Sequence, residues 1–245
     1  MRALLIRIGV DQAYGGWNAP ADPASRRFLY CPIPDHPSKC YRPGCKRDYG
    51  QFVSALDRFL RRLRLDGRQT PCFPSTLLDR HPHLDPDFEH LTYGDNGQRR
   101  GAGITEMERG DLLAFYGGLR SVAGADRLIY ALVGLYAVDQ VIPARHVAVD
   151  CCDDNAHTRW TKISNKDVVV RANPKLSGRL ERCIPIGEWR DRAYRVQPGI
   201  LKAWGGLSVR DGYIQRSAVP PRFLNPDKFY LWFLRQGIPL VRRNN

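Results

Sequence analysis

Gly110-Asp111-Leu112-Leu113-Ala114-Phe115-Tyr116-Gly117-Gly118-Leu119, answered further on by Leu128-Ile129-Tyr130-Ala131-Leu132-Val133-Gly134-Leu135-Tyr136-Ala137-Val138, decides the fold class. Both runs are apolar and aromatic, the second also β-branched, and a Gly-containing segment from Gly117 to Asp126 joins them. Runs of that kind belong to strands covered on both faces, so the pair reads as a long β-hairpin in a buried sheet. The second run is too short to span a membrane.

Working outward, Ala3 to Ile8 reads as a first strand, Arg27 to Pro34 as a second short strand stopped by prolines, and Asp167 to Arg171 as another. Phe52, Leu56, Phe59, Leu60 and Leu63 form one stripe of an amphipathic helix. Its other face carries Asp57, Arg58, Arg61, Arg62 and Arg64, and Gly67 is its stop. Asn225-Pro226, followed by Asp227 to Gln236 and Gly237, predicts a helix with an Asn N-cap, Pro at its first position and a terminal Gly. Its content is apolar nearly all round, which predicts packing into the body of the protein. No repeat, low-complexity block or long linker divides the chain. Residues 1–245 therefore read as one domain of mixed α/β (α+β) class, with a sheet or barrel core and peripheral helices.

At 245 residues the chain can bury a sizeable core, and 43% hydrophobic with 26% charged residues is ordinary for a globular protein. Lys and Arg number 38 against 25 Asp and Glu, a formal charge of +13. That excess exceeds what solubility requires and points to an anionic partner, most often nucleic acid. The opening Met1 to Ile8, interrupted by Arg7, has too short an apolar core for a secretory signal. Seven cysteines, an odd number, read as reduced thiols of a cytoplasmic protein.

Several standard sites are absent from the sequence. There is no GxGxxG, no GxxxxGK[ST], no GxSxG and no HExxH, and the HxE and PCxxC elements of zinc base deaminases are missing. His36, Cys40 and Cys45 offer soft ligands without a matching CxxC, and Cys151-Cys152-Asp153-Asp154 with His157 is no better spaced. No metal ligand set and no cofactor is assigned on these grounds.

Three stretches carry the candidate chemistry. Gly9 to Pro20 places Asp11, Tyr14, Gly15-Gly16, Trp17 and Asn18 on one loop directly after the first strand. As a pocket wall, Tyr14 and Trp17 would stack on a base, while Asp11 and Asn18 would read its edges. As a plain turn, its Trp would cap the core. Asp79 to Asp95 holds three His broken by Pro82 and Pro86. It is either an extended loop delivering side chains, Tyr93 and Asp95 among them, to a pocket, or a solvated loop whose His and Asp cap turns. Asn155-Ala156-His157-Thr158-Arg159-Trp160 combines groups able to hydrogen-bond a base or phosphate with a stacking face. Asn173, Ser177 and Arg179, on the turn after the Asp167 strand, would present a guanidinium and backbone N–H groups to a phosphate.

Four blocks together resemble the nucleotide modification associated domain of the third type, a bacterial and phage family found near DNA base-modification genes. They are Leu4 to Asp11 with Tyr14 to Asn18, Asp85 to Glu89 with Thr92 to Asp95, Gly110 to Leu119, and Asn155 to His157 before Val168 to Val170. The hairpin also resembles that of PUA-like folds, which include modified-base readers of the EVE, YTH and SRA kinds. The resemblance implies a protein that binds nucleic acid, DNA ahead of RNA, or a nucleotide, and recognises a base in an aromatic-lined pocket. The alternatives are an enzyme that makes or alters a modified base, with Asp11, Asp95, His157 and Arg159 as its polar groups, His157 as acid/base and Arg159 holding phosphate, and an interaction module with an incidental basic surface.

Overall fold

Leu112–Ser121 and Ile129–Pro143 form the expected hairpin, Leu112 opposite Ala137 and Leu119 opposite Ile129, with a bulge between Phe115 and Tyr116. The structure, a computed structural model, describes residues 1–63, 70–98, 101–124, 127–216 and 219–245. In chain order its strands are β1 (Ala3–Arg7), β2 (Pro20–Ala21), β3 (Thr92–Asp95), β4 (Leu112–Ser121), β5 (Ile129–Pro143), β6 (Val168–Ala172), β7 (Gly178–Pro185), β8 (Gly187–Arg190), β9 (Ala193–Val196) and β10 (Leu240–Val241). The helices are α1 (Gly50–Leu63), α2 (Ser75–Leu78), α3 (Ala102–Thr105), α4 (Ala156–Arg159), α5 (Pro198–Ala203) and α6 (Pro226–Arg235). Arg64, the Gly67 stop and Asp126 lie outside the described residues.

The long β5 holds the mixed sheet together. Its first half pairs with β7, its second half with β6, and its other edge with β4. Strand β1 lies parallel to β4 with Ala3 opposite Leu112, and β6 passes the sheet on to β3. The path runs β1-β4-β5-β6-β3 among the described residues. It is open from end to end, so the likeness to a PUA-like barrel rests on the hairpin alone. The class is mixed α/β.

Alternation along the strands separates two cores. Leu4, Ile6, Leu113 and Phe115 point to one side, against Phe52 and Leu56 of α1 and against Phe88. Ala3, Leu5, Leu112 and Tyr116 point to the other, against Trp204 and Phe229. Full burial of one such large side chain contributes about 1.5–3 kcal/mol, so both faces of β4 and β5 are strongly specified.

Two expectations are corrected. Arg27 to Pro34 makes no strand; it runs past β2, buried from Phe28 to Pro32, with single bridges at Phe28 and Pro34. Pro32 and Pro34 have no N–H to extend a ladder. Helix α6 begins as expected, Asn225 Oδ1 accepting from Lys228 N at 3.0 Å, but it buries only Phe229 and Phe233. Leu231 and Leu234 stay 54% and 53% exposed, because the helix lies on the outside of its core and can turn only one stripe inward. Among the described residues no helix is long and apolar enough to cross a membrane.

Candidate functional site

The segment rich in His and Asp runs extended beside the chain that leaves Ile33. His83 N donates to Ile33 O at 2.8 Å and Asp35 N to His81 O at 2.7 Å, with Pro34 bridging Pro82. In extended chain, residues two apart share a face, so His83 and Asp85 point the same way. Asp35 is the hub across from them. Its Oδ1 lies 2.9 Å from His83 Nδ1, and its Oδ2 accepts from Tyr41 Oη at 2.7 Å and Trp160 Nε1 at 3.3 Å. With Nδ1 engaged by a carboxylate, His83 turns Nε2 toward the interior of the site.

The opposing wall is α4. Asn155 caps it, Oδ1 accepting from His157 N at 2.9 Å, while Nδ2 donates to Asp85 Oδ1 and Thr92 Oγ1, both at 3.3 Å. Gly94 N donates to the same Asp85 oxygen at 2.7 Å. Asp85 Oδ2 is left facing His83 Nε2 and His157 Nε2, 3.7 Å from each. His157 Nδ1 lies 3.7 Å from Asp167 Oδ1, too long for a hydrogen bond. The His157 ring sits 4.8 Å from Trp160, and His83 stacks on Trp160 at 5.6 Å. One ligand atom from each of His83, Asp85 and His157 lies within 4.8 Å of the other two.

These groups line the floor of a cleft of about 1190 Å³. Their side chains are 16%, 4% and 8% exposed, so they are largely desolvated yet reachable. Burial pushes the Asp85 carboxyl up to about 7, against the opposing pull of His83 and the Gly94 N–H. Burial also disfavours charge on His83, but the Asp35 hydrogen bond and the Asp85 charge outweigh it and raise its pKa. In His157 burial prevails and the pKa falls. Asp95, also on the cleft wall, is raised by burial. Farther along, the cleft is bounded by Arg7, Tyr130, Tyr194 and Arg216, with Lys39 and Lys162 nearer the His/Asp floor.

Of the residues singled out in the sequence, the cleft brings together Asp11, Tyr14, Asn18, Tyr93, Asp95, His157 and Trp160, with Asn155 directly behind them. Asp11 pairs with Arg7 at 2.8 Å and caps its own turn through Ala13 N and Tyr14 N, and Asn18 donates to Gly118 O at 2.7 Å. Both hold the loop in shape. Trp17 lies off the cleft wall, packed on Phe73 at 5.4 Å. One face of Trp160 is covered by Lys39 Nζ at 3.2 Å and it stacks on His83, so it braces the histidine. Arg159 turns away to Asp87 and Asp153, at 3.2 and 2.9 Å. Asn173, Ser177 and Arg179 lie elsewhere: Asn173 and Ser177 bond the backbone of Ala137, and Arg179 donates to Leu180 O and Arg243 O. Of the soft ligands, Cys45 Sγ lies 3.1 Å from Cys152 Sγ, while His36 and Cys40 are exposed.

Sequence reasoning missed His83, Asp85, Asp35 and Asp167. The readable signal was the His-x-Asp pair in a proline-punctuated extended stretch, followed by Asn-Ala-His at a helix start.

Fold and cleft thus define a mixed α/β protein with a buried His/Asp cluster at the base of a ligand-sized cavity. A family model for nucleotide modification associated domain 3 matches residues 2–211, and the chain belongs to that family. Membership carries a role in nucleotide-modification systems. No curated protein and no solved structure matches the chain.

Proposed function

We propose that the chain binds a nucleotide, or a base drawn out of DNA, in the cleft and alters it chemically, as an enzyme of a nucleotide-modification system. One observation carries this: the His83, Asp85 and His157 side chains are buried side by side at the floor of a cleft of about 1190 Å³. Such a cavity is as large as the biggest small-molecule sites, and titratable groups shifted by burial and by specific partners within a cleft are candidates for chemistry. Tyr14, 53% exposed at the rim, offers the free aromatic face, and Asp95 is the wall carboxyl placed to exchange a proton. Arg7, Lys39, Lys162 and Arg216 supply positive charge for phosphate.

A second reading, recognition of a base without turnover, is favoured by the charge of +13. Both readings are tested by titrating the protein with mononucleotides and short oligonucleotides while following products chromatographically. Stacking contributes about 1–3 kcal/mol per base, so Tyr14→Ala should weaken binding by roughly 5- to 150-fold with little change in melting temperature. Trp17→Ala should do the reverse, costing about 1–3 kcal/mol of stability and leaving affinity intact. Binding without product would favour the reader. No binding of any nucleotide would end both.

A further inference from the structure

We infer that His83, Asp85 and His157 form a binding site for one divalent first-row transition-metal ion, with Asp35 and Asp167 as the carboxylates that position the two imidazoles. The inference stands on the side chains alone and does not depend on which nucleotide enters the cleft.

Three atoms converge without a hydrogen bond between them or to any other described residue: His83 Nε2, His157 Nε2 and Asp85 Oδ2. The two N···O separations of 3.7 Å exceed any hydrogen bond, so these groups do not relay a proton directly. Metal–donor distances of about 2.0–2.2 Å place neighbouring ligands of a tetrahedral ion roughly 3.4 Å apart. Each imidazole nitrogen need close on Asp85 by only a few tenths of an ångström, while the two imidazoles, within 4.8 Å of each other, must also draw together. The other side of two of the three ligands is already hydrogen-bonded, and that of His157 faces a carboxylate. His83 Nδ1 lies 2.9 Å from Asp35 Oδ1, and His157 Nδ1 faces Asp167 Oδ1. Asp85 Oδ1 accepts from Gly94 N and Asn155 Nδ2. A carboxylate behind a ligating imidazole fixes its tautomer and aims Nε2 at the ion.

Two imidazoles and one carboxylate on one side of an ion leave its remaining positions open to the cleft. That donor set suits zinc or iron(II), and manganese(II) more weakly. Buried, unpaired His157 Nδ1 fits the same arrangement, since closing onto an ion tilts the ring and can bring Asp167 into hydrogen-bond range. His157 then serves as a ligand, and Asp95 is left to carry protons. His36, Cys40 and Cys45 take no part.

The test uses the full chain stripped of metal with a chelator and titrated with cobalt(II) as a coloured probe. Zinc, manganese(II) and, without oxygen, iron(II) serve as competitors, and no nucleotide is present. One equivalent should bind with a visible ligand-field band and a rise in melting temperature. His83→Ala, His157→Ala and Asp85→Asn should each weaken binding by more than about 100-fold, and Asp35→Asn and Asp167→Asn by about 10- to 100-fold. Exposed His146, outside the cleft, should be replaceable by Ala with unchanged affinity. A stripped, folded wild-type protein that gives no band and no thermal shift with any of the four ions overturns the assignment. So does a folded Asp85→Asn variant that binds as tightly as wild type. Should the ligand variants fail to fold, the wild-type titration alone decides. The nucleotide titration is scored separately, so either result can fail without the other.

Discussion

At Gly94 a hydrogen is the only side chain the site tolerates. A Cβ there would overlap the His157 ring and come within 2.5 Å of Asn155 Oδ1, although the backbone angles are ordinary for any residue. The glycine exists for close approach. Gly94→Ala should therefore cost about 1–3 kcal/mol in a urea melt, and it should abolish function by pushing His157 off Asp85. An alanine variant with wild-type stability and full ligand binding would show that the cluster is looser than it looks. Nearby, His90 Nδ1 lies 3.0 Å from Asp87 Oδ2, and this hydrogen bond raises the His90 pKa against the opposing effect of burial. A group whose pKa is raised on folding contributes its stability fully below the unfolded value, about 6.5 for His, and loses it as pH rises through the folded value. Wild type should thus lose stability relative to His90→Gln as denaturant melts move from about pH 5.5 to 8.5. Parallel curves for the two proteins would mean that the pair contributes nothing.

Helix α4 is a four-residue turn, far too short to persist on its own, so the elements around it must hold it. Asn155 does part of this: its oxygen caps the helix, and its amide reaches Asp85 and Thr92. Asn155→Ala should cost about 0.5–2 kcal/mol through the cap alone. Asn155→Asp keeps a capping oxygen yet sets a second carboxylate where the amide now donates to Asp85. Its melting temperature should recover in part while ligand binding does not, and recovery of both would deny Asn155 any role beyond the cap. The contrast also shows which parts were legible in the sequence. The β4–β5 hairpin, the start of β1 and the Asn225 cap are written locally, in unbroken apolar runs and in a cap residue followed by proline. Asn155 stood out only as part of a hydrogen-bonding cluster, and its role as a helix cap did not show. Which histidine of the Asp79 to Asp95 stretch turns inward was not, because His83 is chosen by Asp35, 48 residues away. Arg159 read as a phosphate ligand for the same reason. Asp87, 72 residues distant, claims its guanidinium, and no local pattern announces that partner.

Across the whole molecule the charge of +13 is spread beyond the cleft, and Arg58, Arg61 and Arg62 stand exposed on α1, whose Phe52, Leu56 and Phe59 are committed to the core. A helix fixed on one side and basic on the other can meet a phosphate backbone without moving. Under the proposed function that surface and the cleft would have separable tasks, one holding a polynucleotide and the other a single nucleotide. Each phosphate neutralised by a cation releases counterions, so the logarithm of affinity falls with the logarithm of salt by about 0.9 per contact on duplex DNA. Replacing Arg58, Arg61 and Arg62 together by Gln should weaken binding to any DNA sequence and flatten that slope by up to about 2.7. It should leave mononucleotide affinity in the cleft unchanged, since none of the three lines it. Filter binding of a short duplex across a salt series measures the slope, and fluorescence titration measures the mononucleotide. If wild type and the triple variant share one slope, α1 is a solvated face and the anionic partner meets the protein elsewhere. If duplex affinity does not respond to salt at all, the positive charge serves no polynucleotide, and the protein acts on free nucleotides.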